Sequence, residues 1–262
     1  MSLAALPALQ SAGVRRALAA YLLSIADDEL ILGHRHSEWT GFAPDIESDV
    51  ALSSIAQEEI GHARLLYERV GELVGGDPDT LAFGRPPDQF RNAVLVERPN
   101  ADWGYSIVRM FLYDRVDAVR LDALAGGAAS PLSDLAKALR REEKYHQKYG
   151  EEWLRRLATA TKDSRARIQE ALNSAWPDAP ALFEPVEGVE TLVNGGILAA
   201  PLDAQTTHWK ESVVPMVEEL GLTTPDAGEV RAGGRAGRHT EDLRILLEEM
   251  TSVRRSDPGA KW

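Results

Sequence analysis

The chain has 262 residues, of which 44% are hydrophobic and 27% charged, a composition typical of a soluble globular protein with a sizeable core. Its formal net charge of −12 argues against a general affinity for nucleic acids or for anionic membranes. The absence of cysteine excludes disulfides, thiolate metal sites and cysteine nucleophiles. Neither a signal peptide nor a run of about 18 apolar residues is recognised, so we expect a cytoplasmic protein without a membrane span.

A first helical hairpin is predicted from about residue 15 to residue 75. Its two stretches carry apolar side chains at alternating spacings of three and four, which is the pattern of an amphipathic helix. A break that contains glycine and proline at 41–44 separates the stretches. The Gly-Gly-Asp-Pro sequence at 75–78 ends the second one.

A second hairpin is predicted after a long connection, residues 77–101. Its first helix begins near Trp103 and ends at the glycine pair 126–127. Ser130 and Pro131 begin its second helix as a capping residue followed by proline at the first helical position.

The sequence predicts an all-α fold in a single domain over residues 1–262. Two hairpins with short loops, joined by one long crossover between helices two and three, form the topology of a ferritin-like four-helix bundle. This core bundle is expected at about 15–160. Extra C-terminal helices in an extension at about 163–262 are expected to pack on it, with candidates at 164–175, 207–219 and 239–253.

Each predicted hairpin carries a Glu-x-x-His pair on the apolar face of its second helix. The pairs are Glu59 with His62 and Glu143 with His146. Because residues i and i+3 share one face of a helix, each pair directs a carboxylate and an imidazole the same way. A single pair of this kind is weak support for a metal site, but two copies at matching positions are much stronger support.

An acidic residue on the preceding helix completes each set. Positions equidistant from the centre of a short antiparallel loop lie side by side, and this condition pairs Glu29 with Glu59 and Asp114 with Glu143. All four carboxylates are then expected at one depth, about 22 Å from each turn. Asp117 lies one turn closer to the second loop and is kept as an alternative ligand or as a supporting residue.

The predicted set is that of a dinuclear metal centre. Carboxylate oxygen and imidazole nitrogen suit both iron and manganese, so we expect two irons, with manganese or a mixed pair as alternatives. A buried group of four acids without metal would be destabilised by repulsion and desolvation, or would be partly protonated. Two glutamates are expected to bridge the metals and one acid–histidine pair to complete each position: Glu59 and Glu143 as bridges, Glu29 with His62, and Asp114 with His146.

Residues around this set have simpler interpretations. His36 is two turns from Glu29 on the same face, and a core or supporting role is favoured over metal binding. Glu58 and Glu142 turn off the apolar face and are expected to be solvated or to lie at an interface, while Asp117 is the expected partner of His146. A glycine-rich basic segment near the C-terminus could bind phosphate or an acidic partner through its three arginines, Arg231, Arg235 and Arg238.

Short motifs continue along the chain from residue 37 to its last residue. They are Ser37-Glu38-Trp39 with Ala43-Pro44, Asp79-Thr80-Leu81-Ala82-Phe83, Leu95-Val96-Glu97 with Pro99-Asn100, Tyr145-His146, Gly233-Gly234 with Gly237, His239-Thr240-Glu241, and Trp262. In this order and spacing they resemble the phenylacetyl-CoA epoxidase family, in which a ferritin-like catalytic A subunit pairs with a ferritin-like structural C subunit. The resemblance covers most of the chain and is stronger toward the C subunit.

The resemblance implies a di-iron oxygenase that epoxidises the ring of an aryl-CoA thioester in phenylacetate degradation. It also implies pairing with a homologous ferritin-like subunit, or with copies of this chain. In the family that the chain resembles, electrons come from a separate flavin and iron–sulfur reductase. This chain lacks cysteine and a glycine-rich dinucleotide fingerprint, so it would need such a partner.

Two other functions stay open from the sequence. C subunits resemble copies of the catalytic subunit that have lost metal ligands, so a non-catalytic scaffold is one alternative, although the ligand residues are present here. A ferritin-like ferroxidase or peroxidase is the other. The long crossover at 77–101 and the extension at 163–262 exceed what iron oxidation requires, which favours a substrate-handling role.

Overall fold

Every regular element of the computed structural model is a helix within the residues it describes, which are Leu3, residues 6–226 and residues 229–257. The motif residue Trp262 lies outside them. In chain order the α-helices are α1 (Ala12–Ser37), α2 (Ile46–Val74), α3 (Pro78–Phe83), α4 (Val94–Glu97), α5 (Trp103–Ala125), α6 (Ser130–Ala160), α7 (Lys162–Ala175), α8 (Val189–Asn194), α9 (Leu202–Glu219), α10 (Glu241–Met250) and α11 (Ser252–Ser256). Short 3₁₀ turns occur at Pro7–Leu9, Pro87–Gln89, Ala179–Phe183 and Gly234–Ala236.

The turn between α1 and α2 confirms the first predicted hairpin. Gly41 adopts φ +82° after α1, a left-handed conformation that glycine reaches without strain. Asp45 then caps α2 by accepting a hydrogen bond from Ser48 N at 2.7 Å. The helix ends at Gly75, where φ is again positive at +81°. The glycine signal coincides with the end of α2, whereas α1 ends at Ser37, four residues before Gly41.

The second hairpin is formed by α5 and α6. Asp102 caps α5 by accepting from Tyr105 N at 2.8 Å, and Gly126 follows its last residue. Pro131 lies in the first turn of α6, where its missing N–H costs no intrahelical hydrogen bond. The prediction that Ser130 caps this helix is wrong, because Ser130 is its first residue and Ala129 precedes it without a side-chain cap. The crossover is more regular than a simple connection, because residues 77–101 contain α3, a 3₁₀ turn and α4.

The two hairpins pack against each other as a four-helix bundle, with α1 against α2 and α5 against α6 along their lengths. The C-terminal extension packs on α5 through α7 and α9, as expected. Trp209 of α9 is fully buried there and donates Nε1–H to Leu112 O at 3.2 Å. The assignment of all 262 residues to one domain stays a prediction. No described helix is both long and apolar enough to cross a membrane.

We expect opposite stability effects at two glycines of the first hairpin. A Cβ at Gly33 of α1 would lie 2.9 Å from Ile60 Cγ1 and 3.1 Å from Ala56 O, so Gly33→Val should push α1 away from α2 and cost about 1–3 kcal/mol. A Cβ at Gly61 would meet nothing within 4 Å, so Gly61→Ala should stabilise α2 by about 0.5–1 kcal/mol. Urea unfolding measures both changes, and equal effects would contradict the close packing at Gly33.

Candidate metal centre

All seven predicted site residues lie inside the bundle, each with no more than 2% of its surface exposed. Every one of the four long helices contributes at least one of them. The residues are Glu29 on α1, Glu59 and His62 on α2, Asp114 and Asp117 on α5, and Glu143 and His146 on α6.

Three of these residues already form a group that could hold a metal ion. His62 Nδ1 lies 3.4 Å from Glu29 Oε2 and 3.3 Å from Glu143 Oε1. One ligand atom of each residue lies within 4.8 Å of the other two. A carboxylate from α1, an imidazole from α2 and a carboxylate from α6 therefore meet at one point.

Glu143 also contacts the second histidine. Its Oε1 lies 3.0 Å from His146 Nδ1, and the rings of His62 and His146 stack with centroids 6.1 Å apart. The Glu143 carboxylate is thus shared between two imidazoles that come from different hairpins. Glu143 would therefore help both histidines to hold metal.

Each imidazole is held from outside by a glutamate of the other hairpin. His62 Nε2 pairs with Glu142 Oε2 at 2.8 Å, and His146 Nε2 pairs with Glu58 Oε2 at 2.8 Å. A proton on Nε2 that is donated to the carboxylate leaves the Nδ1 lone pair free to bind a metal. Glu58 and Glu142 are partly exposed, which agrees with the expectation that they are solvated or lie at an interface, but their contact with the histidines was not predicted.

Asp117 and His36 were both expected to support the site, and the structure agrees with only one of these two expectations. Asp117 accepts from Arg120 Nη2 at 3.0 Å, whereas His146 contacts Glu58 through Nε2 and Glu143 through Nδ1, so the expectation that Asp117 is the partner of His146 is wrong. His36 Nδ1 lies 2.9 Å from Glu59 Oε2, which agrees with a supporting role. Burial, followed by the nearby positive charge of Arg109, lowers the pKa of His36 well below its ordinary value.

Many inward-facing polar atoms of the site lack a hydrogen-bond partner among the described residues. They are Glu29 Oε2, Glu59 Oε1, His62 Nδ1, both carboxylate oxygens of Asp114 and of Glu143, and His146 Nδ1. An unpaired buried polar atom costs about 1–3 kcal/mol, so such a concentration is unusual unless a ligand binds there. The donors are oxygen and nitrogen, which suit iron and manganese. The residues present therefore fit a dinuclear metal centre.

The site holds more negative charge than its surroundings can stabilise without cations. Burial raises the pKa of Glu59 and of Asp114, and neighbouring carboxylates add to the effect. Burial acts to lower the pKa of His62, but the carboxylates of Glu143 and Glu29 outweigh it and raise the value to about 12. Without metal, the acids are therefore balanced by protons, which two divalent cations would displace.

Several residues beside the centre were not found from the sequence. Tyr113 donates to Glu29 Oε1 at 2.6 Å and accepts from Arg120 Nη2 at 3.1 Å. Asp27 and Asp28, which precede Glu29, are fully buried. The signal available for them was three consecutive acids inside an apolar helix, which a surface helix would not explain.

The central arginine of the glycine-rich basic segment, Arg235, packs inside the fold. Arg235 is buried and bonds Asp28 through two contacts of 2.9 and 2.7 Å. Its guanidinium is therefore not available to a phosphate or to an acidic partner. Arg231 is half-exposed and lies 3.5 Å from Asp178 Oδ1.

Comparison with known proteins agrees with this architecture. The chain belongs to the phenylacetic acid catabolic protein family, whose sequence model matches residues 5–262. It is 35% identical over 246 residues to the C subunit of 1,2-phenylacetyl-CoA epoxidase from Escherichia coli (strain K12), covering 94% of this chain and 99% of that relative. The A subunit of the same epoxidase is 24% identical over 216 residues, which is 74% of this chain and 66% of that relative. The all-helical structure agrees with the ferritin-like bundle of this family.

We expect Asp114→Asn to stabilise the metal-free protein at alkaline pH. Burial and the charge of Glu143 raise the pKa of Asp114 above its ordinary value of 3.8, so the folded state keeps a proton that the unfolded chain releases. Stability is therefore lost as pH rises from about 4 toward the folded pKa, at about 1.4 kcal/mol per unit of pKa shift. The asparagine variant removes this loss.

Urea unfolding in a chelator at pH 4.5 and pH 8 measures the effect. Asp163→Asn is the control, because Asp163 has 78% of its side chain exposed, and it should change stability by less than about 0.5 kcal/mol. An Asp114→Asn protein that is less stable than the wild type at pH 8 would contradict the predicted repulsion.

Proposed function

We propose that this protein is a di-iron oxygenase-type subunit that activates dioxygen for insertion into the ring of an aromatic acyl-CoA in phenylacetate degradation. The observation that carries the proposal is the meeting of unpaired carboxylate and imidazole atoms from three of the four long helices at one buried point, with the unpaired carboxylate of Asp114 buried on the fourth helix. A purely structural bundle gains nothing from burying these atoms without partners. Membership of the phenylacetic acid catabolic protein family supports the substrate class.

Two metal ions would be held by different sets of these residues. Glu59 and Glu143 would bridge two ions, Glu29 with His62 would complete one position, and Asp114 with His146 the other. Bound iron supplies the capacity to reduce dioxygen and transfer one oxygen atom, which no side chain here possesses.

The surrounding protein orients the ligands and keeps water away from them. Glu142 and Glu58 hold the two imidazoles with Nδ1 directed inward. The site residues are almost completely buried, which strengthens every charge interaction among them. Manganese, or one iron with one manganese, would satisfy the same donors.

The proposed activity requires partner proteins. The chain has no cysteine to bind an iron–sulfur cluster, so electrons would come from a separate protein, and the resemblance to the epoxidase family implies a flavin and iron–sulfur reductase. The similarity to proteins named as the C and A subunits of one epoxidase supports pairing with a homologous ferritin-like subunit, or with a second copy of this chain.

A scaffold role is the second candidate, and one observation favours it. The chain is 35% identical to the C subunit of the epoxidase but only 24% identical to its A subunit. In the family resemblance described above, the C subunit is the structural one and the A subunit the catalytic one. In that role the same buried residues would bind metal for stability or would remain protonated. The two candidates differ in metal content and in turnover, which are separately measurable.

Elemental analysis of the purified protein tests the metal centre first. We expect about two iron or manganese ions per chain after anaerobic loading, and loss of both in the Glu59→Ala/Glu143→Ala double variant. The control is Glu68→Ala/Glu152→Ala, which removes the same charge from the same two helices at exposed positions, where the side chains are 37% and 69% exposed. A native protein without metal after loading would overturn the oxygenase proposal and leave the scaffold role.

A single-turnover experiment then separates catalysis from scaffolding. The iron-loaded protein, reduced chemically and mixed with dioxygen and phenylacetyl-CoA, should form an oxygenated CoA thioester in an amount up to one per metal pair. Mass spectrometry with ¹⁸O₂ identifies the oxygen source. Metal binding without ¹⁸O in any thioester, both alone and with a reductase and a homologous partner protein, would contradict the catalytic role while leaving the metal site intact.

A further inference from the structure

The two halves of the candidate metal centre are unequal, although the sequence repeat makes them look alike. On one side, Glu29, His62 and Glu143 have ligand atoms within 4.8 Å of one another. On the other side, Asp114, His146 and a shared glutamate form no group of that spacing among the described residues. One metal position is therefore assembled in advance, and the other is not.

The terminal carboxylates of the two halves are also held differently. Glu29 accepts a hydrogen bond of 2.6 Å from the Tyr113 hydroxyl through Oε1, which leaves Oε2 directed at His62. Neither side-chain oxygen of Asp114 has a hydrogen-bond partner among the described residues. Only the first carboxylate is thus oriented by a neighbour, and an oriented ligand loses less conformational freedom when it binds a metal.

Tyr113 is itself fixed by a buried chain of charged groups. Arg120 donates to the Tyr113 hydroxyl at 3.1 Å and to Asp28 Oδ2 at 2.5 Å. Asp28 in turn accepts two hydrogen bonds from Arg235, at 2.9 and 2.7 Å. All of these side chains are buried, so the contacts are protected from solvent and weakly screened.

Arg235 belongs to a segment far along the chain, residues 231–240, here named the C-terminal strap. Its guanidinium also donates to the backbone carbonyls of Ser24, Arg91 and Leu182, at 3.0, 2.6 and 2.9 Å. The neighbouring glycine, Gly234, lets the strap lie directly on the crossover, because a Cβ there would be 2.1 Å from Asn92 O.

The strap is anchored at its far end by buried Glu97. This carboxylate accepts from Thr240 N at 2.7 Å through Oε1, and its Oε2 lies 2.8 Å from His239 Nδ1. Gly237 adopts φ +77° between Arg235 and this anchor, so the chain can turn between the two attachments. The strap therefore holds Arg235 at a fixed position beside α1.

We propose that the C-terminal strap, acting through Arg235, Asp28, Arg120 and Tyr113, makes the Glu29–His62 position the tighter of two unequal metal positions. The Asp114–His146 position is the weaker one and exchanges its metal more readily. Arg235 and Tyr113 act as positioning residues, because they contact a ligand or its support and not the metal. This inference rests on the proposed dinuclear centre.

Anaerobic titration of the metal-free full-length protein with Mn²⁺, followed by the electron paramagnetic resonance signal of free Mn²⁺, tests the inference. The wild type should bind two ions in two phases that differ at least 10-fold in dissociation constant. Tyr113→Phe should weaken the tight phase by about 10–100-fold and leave the weak phase unchanged, which is the usual effect of losing a ligand's hydrogen-bond partner. Asp114→Asn should remove only the weak phase.

Variants of the strap test its part in the effect. Arg235→Gln should weaken the tight phase as Tyr113→Phe does, and Arg235→Lys should recover part of the loss. The matched control is Arg231→Gln, which removes an arginine of the same strap with half of its side chain exposed and should change neither phase. Circular dichroism melting checks that each variant is folded. If Arg235→Gln does not fold, the result with Tyr113→Phe decides.

Three outcomes would overturn the inference. Two equal phases in the wild type would show that the positions do not differ. Equal weakening of both phases by Tyr113→Phe, or no weakening at all, would show that the chain of contacts does not act on Glu29 alone. No binding of Mn²⁺ by the wild type would remove the proposed dinuclear centre itself, a failure distinct from the other two.

Discussion

The burial of four carboxylates and two imidazoles at one level of the bundle is the constraint on which the rest of the structure depends. Glu143 lies between His62 and His146 and joins the two hairpins at this level. Buried charges of one sign are severely unfavourable unless protons, cations or partners compensate them. The arginines and tyrosines around the site supply part of this compensation, and two metal ions would supply the remainder.

The supporting contacts cross between the hairpins, so neither hairpin can form the site alone. Glu142 holds the histidine of α2, and Glu58 holds the histidine of α6. Association of the hairpins therefore fixes the orientation of both imidazoles in the same step that buries the carboxylates. Folding and preorganisation of the site are consequently one process, and metal binding is expected to stabilise the fold.

Long-range packing also explains one of the motifs on which the resemblance to the epoxidase family rests. The glycines and arginine of residues 233–237 have no apparent function in isolation. In the structure they allow a distant segment to lie on the crossover and to place Arg235 against Asp28. A buried ion pair of this kind adds little net stability, so its value is better sought in the positioning of neighbouring groups.

The sequence by itself determined the helical hairpins and predicted the candidate ligand set, because apolar periodicity, capping residues and loop symmetry are local properties. It placed Glu29 opposite Glu59 and Asp114 opposite Glu143 by counting from each turn. It could not place Asp117, Glu58 or Arg235, since their contacts depend on how one hairpin is rotated against the other and on where residues 231–240 return to the bundle. Tertiary structure alone decided which glutamate holds which histidine and made the two halves unequal. The physical reason is that hydrogen bonds between residues 80 or more positions apart produce no periodic pattern in the sequence.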